Sequence, residues 1–412
     1  MAKRYEFFLS AVLAGLLLST PARSQGPAGG TPDLKIAKVG VISAQSGPVA
    51  FYGLSVLRTV ELAVKDINEH GTMGKGPGLQ VGKDRFRLEV ASYDDAADPA
   101  KSVAGMRRLA EMYKIPVSFG PQGTPNTWAC EGINVPLKVL FVGMSASDLS
   151  RKKGNPLYIQ ERTPTLYFGD PLAEAAFKRG FKKACVLTDV NESYLAWGRR
   201  FKAKFEALGG QVPEFESVDI KATTDYHSIM TKFNAKNPDV IFVTMYEEPT
   251  ALAALHALDV GYKGKFIFNS EWGNKAETVV PLKQIEGSLV EAMVWTYYRK
   301  YPEQDKKGYL TRYVKEYKAA YGEEPGLTGP AIHDPVYMMA RAMEISGSVS
   351  DAYAIRGACA KAMQEGKLPL VFPNNDVLKN GLMVGAPELL LEVKGGQYRL
   401  IGELRVPKAV LE

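Results

Sequence analysis

Residues 35–67 show two successive hydrophobic patterns. In the first, residues 39–42 form a short apolar run that ends shortly before a Ser-Gly-Pro turn, as is typical of a buried parallel strand. In the second, apolar residues recur every three or four positions from Leu57 to Ile67, with charged residues between them, which predicts an amphipathic helix. A strand that leads into a helix through a short loop is the first unit of an open α/β sheet.

The same alternation of strand and helix patterns continues along the chain. Strands are predicted at residues 86–93, 115–119, 139–142, 184–188, 240–244 and 266–269. Helices are predicted at residues 100–113, 126–132, 171–179, 194–208, 226–235 and 248–258, and later at 309–321 and 331–345. Because strands and helices alternate at this spacing, the sequence predicts parallel sheets with helices on both faces.

The amino-terminal segment has the features of an export signal. Lys3 and Arg4 precede an apolar run at residues 7–18, which is shorter than the roughly 20 residues that span a bilayer. Small residues follow at the positions that a signal peptidase reads. We therefore interpret residues 1–24 as a secretory signal and expect a periplasmic protein, with a retained membrane anchor as the alternative. No later run approaches the ~18 apolar residues of a membrane helix, so we expect no membrane insertion after cleavage.

Length and charge narrow the class of protein further. Removal of 24 of the 412 residues leaves 412 − 24 = 388, which is more than one hydrophobic core usually holds. Two lobes are therefore expected. The net charge of +6 is scattered along the chain without a block of Lys and Arg, so nucleic acid is not predicted as a partner.

The three cysteines do not define a disulfide framework. Cys185 lies in an apolar run and is predicted to be a buried strand residue. Cys130 and Cys359 could pair, but sequence alone does not show that they are close. Three free thiols are the simpler interpretation.

Residues that could carry metal or catalytic chemistry are isolated in the sequence. Asp94, Asp95 and Asp98 form an acidic cluster before Pro99, which could attract a metal but which the far more common role of helix capping explains. The histidines lack the spacing of a metal motif, and they are His70, His227, His256 and His333. No nucleophile motif, P-loop or dinucleotide-binding glycine motif is present. We therefore expect no metal, no cofactor and no enzymatic activity.

Three short runs carry a resemblance to a known family. Residues 46–53 read SGPVAFYG, residues 63–68 read AVKDIN and residues 93–95 read YDD. These runs resemble the opening of the leucine/isoleucine/valine-type periplasmic binding proteins, the solute receptors of branched-chain amino-acid ABC importers. The similarity extends, more weakly, from about residue 35 to about residue 298.

The resemblance implies a type I periplasmic binding protein with two Rossmann-like lobes and a three-segment hinge. The residue pattern changes at residues 157–162 and at residues 288–298, which suggests that the chain crosses between the lobes there. The second of these segments has strand character. The resemblance implies a third crossing near residues 369–374. We therefore expect lobe 1 at residues 35–158 and 294–370, and lobe 2 at residues 159–293 and 371–412. Closure of the hinge around a ligand would be the mechanism.

Loops in lobe 1 are predicted to bind the ligand carboxylate. The run from Phe119 to Thr124 links a strand to a helix, so its backbone N–H groups and the Thr124 hydroxyl could bind an anion. The resemblance implies that Thr124 and Ser145 contact the ligand. The alternatives are that Thr124 or Asn126 caps its own helix and that Ser145 is part of a simple turn. Further ligand-binding positions implied in this lobe are Tyr52, Gln122, Gly123 and Ala146.

Loops in lobe 2 are predicted to determine the ligand class. Tyr194 and Tyr246 follow strands and match aromatic residues that line the site in the family. Glu271 matches the acid that pairs with the ligand ammonium, and a carboxylate in an apolar cleft requires such a cation. Trp272 is a further candidate. The alternative is that Glu271 caps the next helix and Trp272 packs between the lobes.

The sequence therefore predicts a monomeric receptor that binds an amino acid with an apolar side chain, branched-chain or otherwise. Its second partner would be an inner-membrane ABC permease. One alternative is a receptor for a urea, amide or aryl-carboxylate solute, because relatives of this fold bind such ligands. An exported enzyme is the alternative from a different class.

Overall fold

The computed structural model describes residues 34–149, 154–372, 376–384, 388–406 and 408–411. Its strands are β1 (Lys35–Ser43), β2 (Leu79–Val81), β3 (Asp84–Asp94), β4 (Val117–Gln122), β5 (Leu140–Met144), β6 (Tyr158–Gln160), β7 (Lys183–Asp189), β8 (Gln211–Val218), β9 (Val240–Thr244), β10 (Lys265–Phe268), β11 (Leu289–Ala292), β12 (Asp376–Val377), β13 (Met383–Val384), β14 (Glu388–Lys394) and β15 (Gln397–Leu404). The predicted amino-terminal signal lies outside the described residues.

The α-helices and the 3-10 turns occupy most of the chain between these strands. The helices are α1 (Ala50–His70), α2 (Pro99–Tyr113), α3 (Thr124–Glu131), α4 (Gly169–Lys178), α5 (Glu192–Ala207), α6 (His227–Asn234), α7 (Glu247–Asp259), α8 (Asn274–Val279), α9 (Val294–Lys300), α10 (Tyr309–Tyr321), α11 (Thr328–Ser346), α12 (Ala352–Gln364) and α13 (Lys408–Leu411). The 3-10 turns are Thr165–Phe168, Leu282–Ile285 and Pro302–Gln304. Among the described helices, none combines the length and the hydrophobicity needed to cross a bilayer.

Two large sheets form the framework. The first has the strand order β2-β3-β1-β4-β5-β6 and is parallel except for the edge strand β2. The second has the order β15-β14-β11-β10-β9-β7-β8. Its β14 pairs antiparallel with both β11 and β15, and all other pairs are parallel. This arrangement confirms the predicted α/β fold.

Helices cover both faces of each sheet because the strands are apolar on both sides. On the first sheet, α1, α11 and α12 pack on one face and α2 and α3 on the other. On the second sheet, α6 and α7 contribute to one core, while α4 and α5 contribute to the opposite core. Buried aromatic rings, such as Trp197 and Phe201 of α5, fill these layers.

Most predicted elements occur within three residues of their expected bounds, but the predicted strand character of residues 288–298 was partly wrong. Residues Leu289–Ala292 do form β11, whereas Val294–Lys300 form a helix. Val294 and Trp295 are both buried, and a short run of buried residues does not distinguish strand from helix by its periodicity. Elements absent from the prediction include β8, β14, β15 and α12.

The chain passes between the two sheets three times. It leaves the first sheet after β6 and enters α4, which packs on the second sheet, and it returns after β11 toward α11 and α12. The third passage includes the small β12–β13 pair, and Leu382, the residue before β13, bridges to Gln160 of β6. The second sheet is then completed by β14 and β15.

All three cysteines are free and buried. Cys130 packs in the core formed with α2 and α3, whereas Cys359 packs in the core formed with α1 and α11. The two thiols therefore lie in cores on opposite faces of the first sheet. The interpretation of three free thiols is confirmed.

Candidate functional site

The predicted ligand-binding residues follow the carboxyl ends of parallel strands in both sheets. Thr124 and Ser145 come directly after β4 and β5 of the first sheet. Tyr246 and Glu271 follow β9 and β10 of the second sheet, and Tyr194 lies in the first turn of α5 after β7. In open α/β sheets, ligands bind at this edge.

Thr124 and Ser145 form a buried pair of hydroxyl groups. Their side-chain oxygens are 3.2 Å apart, and neither residue is more than 2% exposed. Thr124 is the first residue of α3, and Gly123 before it makes no side-chain cap. Asn126 donates instead to Ser102 of α2 at 2.8 Å. Neither Thr124 nor Asn126 therefore caps α3, which was the alternative interpretation of this loop.

Gln160 of β6 holds the loop that carries Ser145. Its Nε2 donates to the carbonyl oxygens of Ser145 and Ser147 at 2.9 and 3.1 Å. The Ser147 backbone N–H in turn donates to the Ser145 hydroxyl oxygen at 3.2 Å. These bonds fix the Ser145 side chain beside Thr124. The other predicted positions of this lobe, Gln122, Gly123 and Ala146, lie next to the pair in sequence.

Removal of either hydroxyl is expected to weaken ligand binding while leaving the fold intact. Thr124→Ala and Ser145→Ala each delete one hydroxyl that would bond a ligand carboxylate, so each should lower ligand affinity by ~1 kcal/mol or about fivefold. Thr127→Ala is the matched control, because the buried Thr127 hydroxyl bonds only the Pro121 carbonyl at 3.3 Å. Calorimetric titration measures the affinity. Unchanged affinity in both variants, with lower stability, would assign the pair a structural role.

Three tyrosine rings from both parts of the structure meet at one place. The Tyr246 ring lies 5.7 Å from the Tyr52 ring and 5.2 Å from the Tyr194 ring, measured between centroids. Tyr52 belongs to α1, which packs on the first sheet, and its hydroxyl oxygen accepts the backbone N–H of Glu247 at 3.3 Å. Burial and the charge of Glu271 raise the pKa of both Tyr52 and Tyr194. These phenols therefore stay protonated and can donate hydrogen bonds.

Glu271 is the carboxylate of this tyrosine cluster. Glu271 is 9% exposed. Burial raises the pKa of its carboxyl group, whereas the Arg162 charge and a hydrogen bond from Tyr194 lower it. Capping of α8 is carried out by Glu247 instead, whose Oε1 accepts the backbone N–H groups of Lys275 and Ala276 at 2.8 and 3.1 Å. The alternative assignment of Glu271 as the cap is therefore not what the structure shows.

Trp272 packs in the interior of the second sheet. Its ring stacks on Phe268 of β10 with centroids 3.8 Å apart and an interplanar angle of 17°. The residue is fully buried in the core that includes α7. Trp272 is therefore a core residue of the second sheet.

Sequence reasoning missed the charged group beside Glu271. Arg162 Nη2 donates to the Ser270 hydroxyl at 3.3 Å and lies 3.7 Å from Glu388 Oε1. Burial raises the pKa of Glu161 to about 8 and that of Glu388 to about 7, although the Arg162 charge opposes both shifts. The signal available in the sequence was a pair of adjacent charged residues, Glu161 and Arg162, directly after a buried strand and before Pro164.

The fold brings together two histidines that are isolated in the sequence. Asp225, His227 and His256 place possible ligand atoms within 4.8 Å of one another, and the two imidazole rings stack at 3.8 Å. These atoms already bond one another and the start of α6: His227 Nδ1 lies 2.7 Å from Asp225 Oδ1, and His256 Nδ1 accepts the Tyr226 backbone N–H at 3.1 Å. The cluster therefore holds together the ends of α6 and α7.

The acidic cluster before α2 has the capping role that the sequence favoured. Asp98 accepts the backbone N–H of Lys101 at 2.9 Å as the N-cap of α2. Asp95 accepts the Ser102 hydroxyl at 2.6 Å and the Ala97 backbone N–H at 2.9 Å. These hydrogen bonds account for the two carboxylates.

Comparison with known proteins places this arrangement in a family. The sequence profile of a family described as periplasmic binding protein matches residues 37–397. The Leu/Ile/Val-binding protein homolog 6 of Brucella suis biovar 1 is 26% identical over 322 residues, which are 77% of this chain and 78% of the relative. Because the family profile covers most of its length, the chain belongs to the periplasmic binding protein family, whose members are solute-binding receptors.

Solved structures share the fold at low identity. A branched-chain amino acid transporter substrate binding protein from Streptococcus pneumoniae, in complex with isoleucine, has a TM-score of 0.72 at 18% identity and covers 90% of this chain and 99% of that chain. A solute binding protein of an ABC transporter from R. palustris, in complex with benzoate, has a TM-score of 0.72 at 17% identity and covers 89% and 96% of the two chains. The predicted type I periplasmic binding protein fold is confirmed.

Proposed function

We propose that this protein is a periplasmic receptor that binds an amino acid between two lobes and delivers it to an inner-membrane ABC importer. An amino acid is the proposed ligand because an acidic group and a pair of hydroxyl groups both lie at strand ends. Glu271 with its tyrosines suits an ammonium, and the hydroxyl pair of Thr124 and Ser145 suits a carboxylate. An α-amino acid carries both charges on one carbon.

The proposed mechanism is closure of two lobes about a hinge. The lobes are the two sheets with their covering helices, and the hinge is the set of three passages between them. Tyr52 of one lobe contacts Tyr246 and Glu247 of the other. A ligand bound at this place would contact both lobes and would therefore favour the closed state. No covalent step is required, which fits a monomeric receptor without enzymatic activity. Residues 1–24 would direct export.

A receptor for an aryl carboxylate is the second candidate. Arg162 already provides a cation near Glu271, so Glu271 has a partner even without a ligand ammonium. The similar R. palustris protein was solved in complex with benzoate, whereas the Streptococcus pneumoniae protein was solved in complex with isoleucine. The tyrosine rings would suit an aromatic ligand as well as a side chain.

A ligand screen with one variant tests the proposal. Thermal shift against the amino acids and small aromatic acids identifies the ligand class, since a ligand that binds only the native state raises the unfolding temperature. Glu271→Gln should weaken the binding of an amino acid by roughly 1.5–3 kcal/mol, because a charge-assisted hydrogen bond is lost. Calorimetric titration measures this change.

The matched control is Glu248→Gln. Glu248 is the next acidic residue along α7 from Glu247, and its exposed side chain pairs with Lys275 at 2.9 Å. This variant should bind like the wild type. Equal amino-acid affinity in the wild type and in Glu271→Gln would remove the ammonium role and favour the aryl-carboxylate candidate.

A further inference from the structure

The candidate site lies beside an unbalanced group of buried charges. Four carboxylates interact there, each on a residue no more than 9% exposed, and they belong to Glu161, Glu271, Glu291 and Glu388. Among the described residues, Arg162 is the one cation that acts on all four. If all five groups are ionised, the formal charge is −4 + 1 = −3.

The group is assembled from distant parts of the chain. Glu161 and Arg162 follow β6 at the first passage between the sheets, and Glu271 follows β10. Glu291 lies in β11 and Glu388 begins β14, and these two strands are antiparallel neighbours in the second sheet. Arg162 is tied to the Glu271 loop by its bond to Ser270 at 3.3 Å. Through Arg162, the buried acidic group therefore adjoins the loop that carries Glu271.

Several oxygens of the group have no hydrogen-bond donor. The unpartnered carboxylate atoms are Glu161 Oε2, Glu291 Oε1, Glu291 Oε2 and Glu388 Oε2. Two neutral acceptors near these acids in sequence are also unpartnered: Gln160 Oε1, one residue before Glu161, and Asn269 Oδ1, two residues before Glu271. Both residues are fully buried. Buried polar atoms are normally satisfied, so this cluster of acceptors calls for a species that supplies donors and positive charge.

The neighbouring aromatic rings have the same preference. Tyr52, Tyr194 and Tyr246 lie together at Glu271, and the faces of aromatic rings attract cations. An ammonium or a guanidinium group has several N–H donors and no acceptor. Such a group would interact with the rings and supply donors to the unpartnered oxygens, whereas the side chain of leucine could pack on the rings but would leave the oxygens without donors.

We propose that the solute of this site carries a net positive charge, as an amino acid with an ammonium or guanidinium side chain does. The inference rests on the proposed function, in which the site binds an amino acid, and it replaces the expected apolar side chain by a cationic one. Without ligand, burial favours the protonated form of these acids, since it raises the pKa of Glu161 to about 8 and that of Glu388 to about 7. A bound cation would release those protons.

Calorimetric titration of the purified protein at neutral pH tests the inference. The probes are lysine, arginine, putrescine, leucine and benzoate, each in two buffers of different ionisation enthalpy. Lysine or arginine should bind at least tenfold more tightly than leucine, and the buffer dependence should show proton release. Leucine or benzoate binding as tightly as every cationic probe would overturn the inference while leaving a solute receptor in place.

Two other outcomes separate the inference from the proposed function. Binding of putrescine without binding of any amino acid would support the cationic ligand and overturn the amino-acid assignment. Absence of binding by all probes, together with no hit in the thermal-shift screen, would overturn both.

A charge-neutral variant provides the second test. Glu161→Gln removes one negative charge with little change of shape, so the affinity for lysine or arginine should fall at least fivefold while the affinity for leucine stays the same. Glu161→Asp keeps the charge and should retain the preference for cations. Glu111→Gln, on the exposed surface of α2, is the matched control. An unchanged preference in Glu161→Gln would overturn the inference.

Discussion

The ligand-free protein is expected to lose about 3–4 kcal/mol of its free energy of unfolding between pH 5 and pH 8 through Glu161. Burial raises the pKa of this acid from 4.5 to about 8 in the folded state. A raised pKa means that the folded state binds the proton more tightly than the unfolded state. The stabilisation is therefore complete below pH 4.5 and is lost as the pH rises through about 8.

Urea denaturation at intervals across this pH range measures the effect. Glu388, whose pKa is raised to about 7, and Glu247, whose pKa is also raised to about 7, act in the same direction. Glu161→Gln imitates the protonated acid, so its stability should vary less with pH and should exceed that of the wild type at pH 8. Equal stability of the wild type at pH 5 and pH 8 would contradict this account of the buried acids.

Trp272→Ala is expected to destabilise the protein by about 3–5 kcal/mol, the range for loss of a large buried aromatic side chain. The ring is fully buried and stacks on Phe268 at 3.8 Å, so its removal leaves a cavity in the core of the second sheet. Trp272→Phe keeps an aromatic ring at this position and should recover part of the stability. Urea denaturation measures both variants.

Ligand affinity distinguishes the two roles considered for Trp272. As a core residue, it should tolerate replacement by Phe without a change in affinity, because its ring packs on Phe268 in the interior of the second sheet. A Trp272→Phe variant with wild-type stability and much weaker ligand binding would restore Trp272 as a ligand-binding residue.

Much of the fold could be predicted because several parallel strands are continuous apolar runs followed by a loop and a helix. β9, for example, is buried along its whole length and has no competing pattern. β8 was missed because only one of its eight residues is buried, which leaves little hydrophobic signal. Residues 294–298 were assigned to a strand because their aromatic side chains have high strand propensity, but packing against the surrounding core favours a helix there.

The site was predicted less completely than the fold. Local sequence and the family resemblance both indicated ligand-binding residues at strand ends, which is where Thr124, Ser145, Tyr194 and Tyr246 lie. Arg162 and Glu291 act on each other only because two passages of the chain between the sheets lie close together, and no periodicity encodes proximity of residues so far apart in sequence. The stacking of His227 on His256 was missed for the same reason.

The hydrogen bond between Tyr52 and Glu247 links a helix of one sheet to the start of a helix of the other. The first backbone N–H groups of a helix have no partner within that helix, and here the Tyr52 hydroxyl supplies one at 3.3 Å. If the two sheets separate, water can take the place of the phenol. Opening of the proposed hinge would therefore break this contact without leaving a buried group unsatisfied, so the contact could form again when the lobes close.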